Sequence, residues 1–198
     1  NGNPHVDCIQ SFGNSSVNAL LIENNRCYDA HEGFNFSTET AADNVIIRNN
    51  IVKLMDNYNV CSVCNYGITN FKVYNNTLDN GVGSSSNNIF CQNYAGLTVS
   101  CDVKNNILVN FPASANPYGN NGTWIDTPTN NLLYSPYKSL TQGDWANDIV
   151  NQDPLFVGSS DYRLQVTSPA KDAGATIASF AVDKNGVTRP QGSAWDIG

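Results

Sequence analysis

The sequence predicts an all-β fold in which short parallel strands stack in successive turns of the chain, a parallel β-helix. Four similar phrases, LLIENNRC, VIIRNNIV, FKVYNNTL and CDVKNNIL, each place an Asn pair directly after a short apolar run. The first Asn of the pairs recurs every 25 to 30 residues, a period typical of stacked repeats; these residues are Asn24, Asn49, Asn75, Asn105 and Asn130. No helical periodicity separates the phrases, so helices do not connect the parallel strands.

The residues before each Asn pair alternate as they do in half-buried strands. Two positions before the first Asn the side chains are apolar: Ile22, Ile47, Val73 and Val103. One position before it they are polar or aromatic: Glu23, Arg48, Tyr74 and Lys104. Because stacked turns bring equivalent positions side by side, Glu23 is expected to lie beside Arg48 as an exposed ion pair.

The Asn pairs themselves are predicted to be structural corners. The chain holds 31 Asn, a residue that disfavours helix interiors and accepts left-handed backbone. At a corner repeated in every turn, each side-chain amide can bond to the Asn of the next turn. Such a ladder satisfies buried polar groups that water cannot reach.

Charge and hydropathy narrow the classes of partner. Ten Lys and Arg against 17 Asp and Glu give a net charge of −7, so nucleic acid is not an expected partner. An acidic surface also repels anionic polymers unless a basic patch or a bound cation offsets it. The chain has no apolar run of 18 residues, which predicts no membrane span.

Six cysteines suit either disulfides in an oxidising compartment or small buried side chains. Counted from the Asn pairs, Cys61 and Cys91 fall at the same position of adjacent turns. They are therefore predicted to lie within disulfide range of each other. A stack of buried thiols is the alternative.

Two stretches resemble a known family. The Asn-pair phrases resemble the repeats of secreted right-handed parallel β-helix proteins of the pectate-lyase-like superfamily. The stretch DPLFVGSSDYRLQVTSPAKDAGA, followed by DKNGVTRPQGSAWDIG, resembles the segment that ends many bacterial β-helix proteins. The resemblance covers most of residues 5–198. It implies a right-handed parallel β-helix of about five coils over residues 1–135, and an irregular C-terminal segment, residues 136–198, that packs on the coils and caps them.

The sequence begins inside a coil, at HVDCIQ. Solenoids avoid exposing the strand edges and core of a terminal coil. We therefore expect preceding residues, or another chain, to cover this coil. The tail of the family usually runs a few residues past DIG.

The candidate site lies in two acidic clusters that hold both histidines, HVDCIQ and YDAHEGFN. Counting from the Asn pairs places Asp7 and Glu32 at one position of adjacent coils, and Gln10 and Asn35 at another. The apolar position between them is predicted to hold Ile9, Phe34, Val60 and Phe90. Two adjacent carboxylates suit three uses: the acid and nucleophile of a retaining glycosidase, ligands for calcium, or a proton-abstracting site with His as base.

Both clusters also resemble motifs of carbohydrate-active proteins. HVDCIQ resembles the H-x-D-x-[IL]-Q phrase of secreted β-helix proteins, and YDAHE resembles the Asp-Pro-His-Asp/Glu signature of β-helix alginate epimerases and lyases, with Ala30 in place of Pro. The predicted catalytic residues are His5, Asp7, His31 and Glu32. The predicted substrate-binding residues are Gln10, Asp29 and Asn35, and Asp7 and Glu32 are the alternative calcium ligands.

The function expected from this patch is that of a secreted or cell-surface lyase or glycoside hydrolase whose partner is a polysaccharide. In the alternative, the clusters only form hydrogen bonds at a sheet edge, and the protein is a structural or adhesive surface protein or a fibre. A fragment resembling a phage tailspike is a further alternative, and it would self-associate.

Overall fold

The fold is described from a computed structural model of the chain. The structure describes residues 6–13, 17–38, 42–54, 61–64, 68–80, 89–91, 100–114, 116–120, 123–124, 127–141 and 147–198. Within these ranges the regular structure consists of strands, and none of the residues is helical. The all-β prediction is confirmed. No helix in these ranges is long and apolar enough to cross a membrane.

The described residues form twenty short strands. In chain order these are β1 (Asp7–Gly13), β2 (Leu21–Glu23), β3 (Arg26–Ala30), β4 (Glu32–Thr38), β5 (Ala42–Asp43), β6 (Ile46–Arg48), β7 (Ile51–Leu54), β8 (Cys61–Cys64), β9 (Ile68–Thr69), β10 (Phe71–Tyr74), β11 (Thr77–Asp79), β12 (Ile89–Cys91), β13 (Ser100–Lys104), β14 (Ile107–Val109), β15 (Tyr118–Asn120), β16 (Thr123–Trp124), β17 (Leu132–Tyr134), β18 (Ile149–Val150), β19 (Phe156–Gly158) and β20 (Asp161–Leu164).

The strands form three parallel sheets that the chain visits in rotation. The first sheet has the order β1-β4-β8-β12-β15, the second β2-β6-β10-β13-β16 and the third β3-β7-β11-β14-β17-β18. Each sheet is open. A small parallel pair, β5 with β9, and an antiparallel pair, β19 with β20, complete the described pairing. The predicted stacking of parallel strands is confirmed.

The register of the second and third sheets matches the positions predicted from the Asn pairs. In the second sheet Ile22, Ile47, Val73 and Val103 are successive neighbours, and Glu23 pairs with Arg48. The two charged side chains form the expected ion pair at 2.7 Å. The equivalent row of the third sheet is Cys27, Val52, Leu78, Leu108 and Leu133. These rows bury apolar side chains against one another and so form the main core.

The first Asn of each pair makes the corner between the second and third sheets. Asn24, Asn49, Asn75, Asn105 and Asn130 all have φ between 49° and 62°. This left-handed region penalises most residues, but Asn enters it at low cost. The backbone requirement explains why Asn recurs at this position.

The second Asn of each pair forms a ladder through the interior. Each one donates its backbone N–H and its side-chain N–H to the Oδ1 atom of the next, over distances of 2.8–3.0 Å, in the order Asn25, Asn50, Asn76, Asn106 and Asn131. Asn131 donates in turn to Oδ1 of Asp148, at 2.8 and 3.2 Å. The members from Asn50 to Asn131 are at most 1% exposed, so the predicted ladder is confirmed.

The first asparagines also hold the C-terminal segment against the side of the strand stack. Their side-chain amides donate to carbonyls of this segment: Asn49 to Val182 (3.1 Å), Asn75 to Asp196 (3.1 Å), Asn105 to Ala175 (2.7 Å) and Asn130 to Ala173 (3.1 Å). An aromatic cluster of Tyr74, Phe180 and Trp195 packs beside this row. The segment therefore follows the corners from one coil to the next.

The cysteines pair differently from the prediction. Cys8 and Cys27 form a disulfide that joins β1 to β3, with Cα atoms 5.9 Å apart, and Cys101 is also disulfide-bonded. The predicted alignment of Cys61 with Cys91 is wrong, because Cys61 pairs with Ile89 and Cys91 with Val63.

The row predicted to run from Ile9 through Phe34 to Val60 and Phe90 is wrong at its third and fourth positions. It continues instead through Cys61 and Ile89. The cause is uneven coil length: the Asn pairs at 49, 75 and 105 are 26 and 30 residues apart. Counting residues back from the first Asn of each pair therefore misplaces residues of the first sheet by one position.

We predict that Asn76→Ala lowers the free energy of unfolding by about 3 kcal/mol. Its Oδ1 accepts both N–H groups of buried Asn50 at 3.0 Å, and buried donors without an acceptor each cost about 1–3 kcal/mol. The matched control is Asn25→Ala at the exposed end of the ladder, where Oδ1 of Asn50 keeps the backbone N–H of residue 25 as a donor, so the cost stays below about 1 kcal/mol. Equal losses for the two variants in urea titrations would contradict the role of the buried ladder.

Candidate functional site

The candidate site is a carboxylate patch formed by Asp7, Glu32 and Asn35 on the first sheet. Asp7 begins β1 and Glu32 begins β4, and the two residues pair directly in parallel register. Gln10 and Asn35 pair three positions further along. The register predicted for these two rows is therefore confirmed. Paired residues of neighbouring strands lie about 4.8 Å apart. Asp7 and Glu32 are therefore held side by side on adjacent strands.

Two of the polar side chains of the patch are buried. Glu32 is 8% exposed and Asn35 is 9% exposed, whereas Asp7 is half-buried and Gln10 is exposed. The side-chain amide of Asn35 donates a hydrogen bond to Oε2 of Glu32. This bond fixes the orientation of the Glu32 carboxylate, which is the property that a reacting group requires.

His31 lies in the turn that joins β3 to β4, next to Glu32. Its backbone N–H donates to the carbonyl of Val6 at 2.8 Å, so this turn is fastened to the residue that precedes Asp7. The His31 side chain is half-buried. The other predicted histidine, His5, lies outside the described residues.

Asp29 occupies a different surface from the carboxylate patch. It lies near the end of β3 with φ 61°, and it is exposed. Its side chain lines a cleft of about 480 Å³ between the third sheet and the hairpin β19–β20, together with Asp79, Asp153 and Tyr162. The structure thus places Asp29 with the C-terminal segment and not in the rows that join Asp7 to Glu32.

Calcium binding by Asp7 and Glu32 stays a prediction. Calcium takes six to eight oxygen ligands. Among the residues that the structure describes, no group of three or more His, Cys, Asp or Glu side chains could hold a metal ion.

Sequence reasoning missed a buried acidic pair at the end of the ladder. The hydroxyl of Tyr118 donates to Oδ2 of Asp148 at 2.7 Å, while Oδ1 receives the Asn131 donors. Burial raises the pKa of Asp148 to about 6, against the opposing effect of these hydrogen bonds. Burial and the neighbouring carboxylate raise the pKa of Tyr118 well above 10. The only sequence signal for this pair is a carboxylate that follows Asn131, the second residue of the last Asn pair, by 17 residues.

A second tyrosine–carboxylate contact fastens the C-terminal hairpin to the third sheet. Tyr162 donates to Oδ2 of Asp79 at 2.7 Å, and the Asn110 amide donates to Oδ1 at the same distance. Burial, followed by the charge of Asp79, raises the pKa of Tyr162 above its usual range. Both oxygens of Asp79 are engaged, so this carboxylate acts as an anchor for the hairpin.

Comparison of the chain with protein-family models, with curated proteins and with solved structures finds no match.

We predict that Asp148 makes the folded state lose stability as the pH rises from about 4 to about 6. Because the pKa of Asp148 is raised to about 6 from an ordinary value of 3.8, the folded state binds this proton more tightly than the unfolded chain does. Its contribution is full below about pH 4 and is lost as the pH rises through about 6. Relative to Asp148→Asn, the wild type should lose about 3 kcal/mol between about pH 3.5 and 7.

The measurement is the unfolding free energy of both proteins across this pH range. Asp161→Asn serves as the control, because the hydrogen bond from Arg163 lowers the pKa of exposed Asp161 to about 2. The stabilising contribution of Asp161 is lost only as the pH falls toward 2, so this variant should parallel the wild type above about pH 4. A constant difference between wild type and Asp148→Asn would show that Asp148 does not titrate in this window.

Proposed function

We propose that this chain is a secreted right-handed parallel β-helix protein that cleaves a polysaccharide at Asp7 and Glu32. The proposed architecture resembles the pectate-lyase-like superfamily, with about five coils and a C-terminal segment that packs on them as a cap. The rotation of the chain through three parallel sheets supports a solenoid. Connections between parallel strands of one sheet are almost always right-handed, so we expect the solenoid to be right-handed.

The observation that carries the proposed activity is the direct pairing of Asp7 with Glu32. Retaining glycosidases hold two carboxyl groups about 5–5.5 Å apart, whereas inverting enzymes separate them further to admit a water. Neighbouring strands are about 4.8 Å apart, so carboxylates that project side by side match the shorter separation. This geometry favours hydrolysis with retention.

In the proposed hydrolysis Glu32 is the nucleophile and Asp7 the acid–base. The Asn35 amide donates to Oε2 of Glu32, and this bond orients the carboxylate for attack on the anomeric carbon. Asp7 protonates the glycosidic oxygen as that bond breaks, and then takes a proton from the water that releases the glycosyl–enzyme intermediate. Asn35 is thus a positioning residue, and Gln10, exposed on the same row, is placed to contact substrate.

His31 supports a lyase reaction as the second candidate for this patch. An imidazole can act as a general base and remove a proton next to a carboxyl group of an acidic sugar. The bond from the His31 backbone to Val6 holds the residue beside the Asp7 strand. Elimination would leave an unsaturated sugar, whereas hydrolysis leaves a saturated one.

The Cys8–Cys27 disulfide supports the proposed location outside the cell. Disulfides persist in oxidising compartments and are uncommon in reducing ones. The two cysteines also join β1, which carries Asp7, to β3. The covalent bond therefore holds the strand of the proposed acid in register.

The continuous Asn ladder favours the competing proposal of a structural or adhesive protein. A rigid stack of strands is all that such a role requires, and the carboxylates would then serve only as hydrogen-bonding groups. Substitution at the patch separates these proposals, because a structural protein does not need the chemistry of Asp7 and Glu32.

We predict that Asp7→Asn and Glu32→Gln each reduce polysaccharide cleavage about 10³-fold, since acid–base groups contribute about 10²–10⁴-fold to rates. Products from a panel of neutral and acidic polysaccharides would be analysed by mass spectrometry, where saturated ends indicate hydrolysis and unsaturated ends indicate elimination. Under elimination, His31→Gln should produce the largest loss.

The matched control is Glu23→Gln, which removes the same charge from the ion pair with Arg48 on the second sheet. This control should cleave at the wild-type rate, and the unfolding midpoints of Asp7→Asn and Glu32→Gln should remain near that of the wild type. If the wild type leaves every polymer intact, the proposed enzyme role is wrong and the structural role is favoured. If the patch variants retain full activity, cleavage does not take place at Asp7 and Glu32 and the proposed site is wrong.

A further inference from the structure

A cleft of about 530 Å³ lies between the outer face of the third sheet and the C-terminal segment. We call it the basic cleft. Its strand residues include Arg26 of β3, Ile51 of β7 and Thr77 of β11, which are neighbours in register. Further along this row, Ile107 and Leu132 are covered by Ile197 of the C-terminal segment. The outer face is thus apolar where the segment covers it and opens into the cleft toward Arg26.

The basic cleft gathers cations in an acidic protein. The chain has ten Lys and Arg against 17 Asp and Glu. Among its described lining residues, the cleft has five cationic side chains, Arg26, Arg163, Lys171, Lys184 and Arg189, and three carboxylates, Asp161, Asp183 and Asp196. The sign of the charge is therefore reversed locally, which is the condition under which an acidic surface accepts an anionic ligand.

The three carboxylates of the cleft already have partners within the C-terminal segment. Asp161 receives two nitrogens of the Arg163 guanidinium. Oδ1 of Asp183 accepts the backbone N–H groups of Asn185 and Val187, at 2.7 and 2.8 Å. The third, Asp196, accepts the backbone N–H of Asp172 at 2.8 Å. These bonds shape the segment.

Two of the five cations are likewise structural. Arg163 pairs with Asp161. Arg189 donates to Asn49 Oδ1 and to the Val182 carbonyl, at 2.9 and 2.8 Å, and lies over the ring of Trp195. It therefore fastens the C-terminal segment to the corner row.

The remaining cations, Arg26, Lys171 and Lys184, are available to a ligand. Arg26 and Lys171 are exposed, and the charged group of Lys184 donates to the carbonyl of Asn24. Burial, and then the positive charge of Arg26, lower the pKa of the Lys184 ammonium. Lys184 and Arg26 therefore repel each other across the cleft, and an anion between them would relieve that repulsion.

Tyr28 gives the cleft a surface suited to a sugar ring. Its side chain is 39% exposed and lies on β3 at the edge of the same cleft. Exposed tyrosines offer a flat apolar face together with a polar tip. Guanidinium groups bind carboxylates and other oxyanions through paired hydrogen bonds. An aromatic face beside cationic side chains is a combination that recognises a charged saccharide.

We propose that the basic cleft binds an acidic saccharide, whose carboxylate or sulfate groups are neutralised by Arg26, Lys171 and Lys184. A volume of about 530 Å³ falls within the range of ligand pockets, about 300–1,000 Å³. The cleft does not include Asp7 or Glu32, so this binding site does not depend on the proposed cleavage. It would let a protein of net charge −7 hold a polymer that the rest of its surface repels.

The test is isothermal titration calorimetry of the full chain with three tetrasaccharides: one of uronic acids, one sulfated and one neutral. We expect at least one acidic tetrasaccharide to bind, more weakly as salt is added, and the neutral one not to bind. Binding of the uronic acid alone identifies carboxylate as the recognised group, and binding of the sulfated sugar alone identifies sulfate. If the neutral sugar binds equally well, or if none binds, the proposal is overturned.

Variants locate the site. Arg26→Gln and Lys171→Gln should each weaken binding about tenfold, as expected for the loss of one charge-assisted contact. Both residues are exposed and make no hydrogen bond through their charged groups among the described residues, so folding should be unaffected. Lys72→Gln, the same charge change outside the cleft, is the control and should bind like the wild type. Equal weakening by Lys72→Gln would show a general charge effect and no specific site.

Titration of Glu32→Gln separates this site from the carboxylate patch. We expect this variant to bind the acidic tetrasaccharide with wild-type affinity, whatever its effect on cleavage. If Glu32→Gln loses binding while Arg26→Gln retains it, the ligand is held at the patch and the cleft proposal fails. If the wild type binds the ligand but cleaves no polymer, the cleft proposal stands and the proposed enzymatic activity fails.

Discussion

The hydrogen-bonded ladder of second asparagines is the interaction on which the rest of the structure depends. Each interior member presents one oxygen to two donors of the preceding coil, and it donates its backbone N–H and its side-chain amide to the member of the following coil. The side-chain amide also donates to a backbone carbonyl of the preceding coil. Buried polar groups without partners are costly, so a missing member affects two coils at once. The ladder therefore fixes the register between coils, and that register aligns the apolar rows of the second and third sheets.

The direction of the ladder also dictates its end. Along the ladder each member donates to the Oδ1 atom of the next member toward the C-terminus, so the last acceptor should be a group that brings no further donors. Asp148 meets this requirement, because one oxygen receives Asn131 and the other receives the Tyr118 hydroxyl. An acidic group in this place is buried, which disfavours its charged form and raises its pKa to about 6. The ladder thus ends at Asp148, a buried carboxyl group whose charge changes with pH.

Much of the strand stack could be predicted from sequence because the corner imposes a local chemical requirement. Left-handed backbone and a buried amide both select Asn, so the pairs mark the second and third sheets reliably. The first sheet lies half a coil from the corner, and unequal coil lengths shift Cys61 and Cys91 out of alignment. The Asp7–Glu32 pairing was predictable because each residue lies the same number of positions before the next Asn pair. The Cys8–Cys27 disulfide joins two different sheets, and the repeat period does not predict contacts between sheets.

The C-terminal segment decides where ligands can reach the third sheet. The side-chain amides of the first asparagines hold this segment, whereas the second asparagines form the hydrogen bonds of the interior. Where the segment packs closely, Ile197 covers the sheet; where it diverges, Arg26 and Tyr28 face the basic cleft. One residue pair in each coil therefore has two consequences, a rigid interior and a docked segment. Because the carboxylates of the cleft are engaged in holding that segment in shape, the cations left over give this surface its positive character.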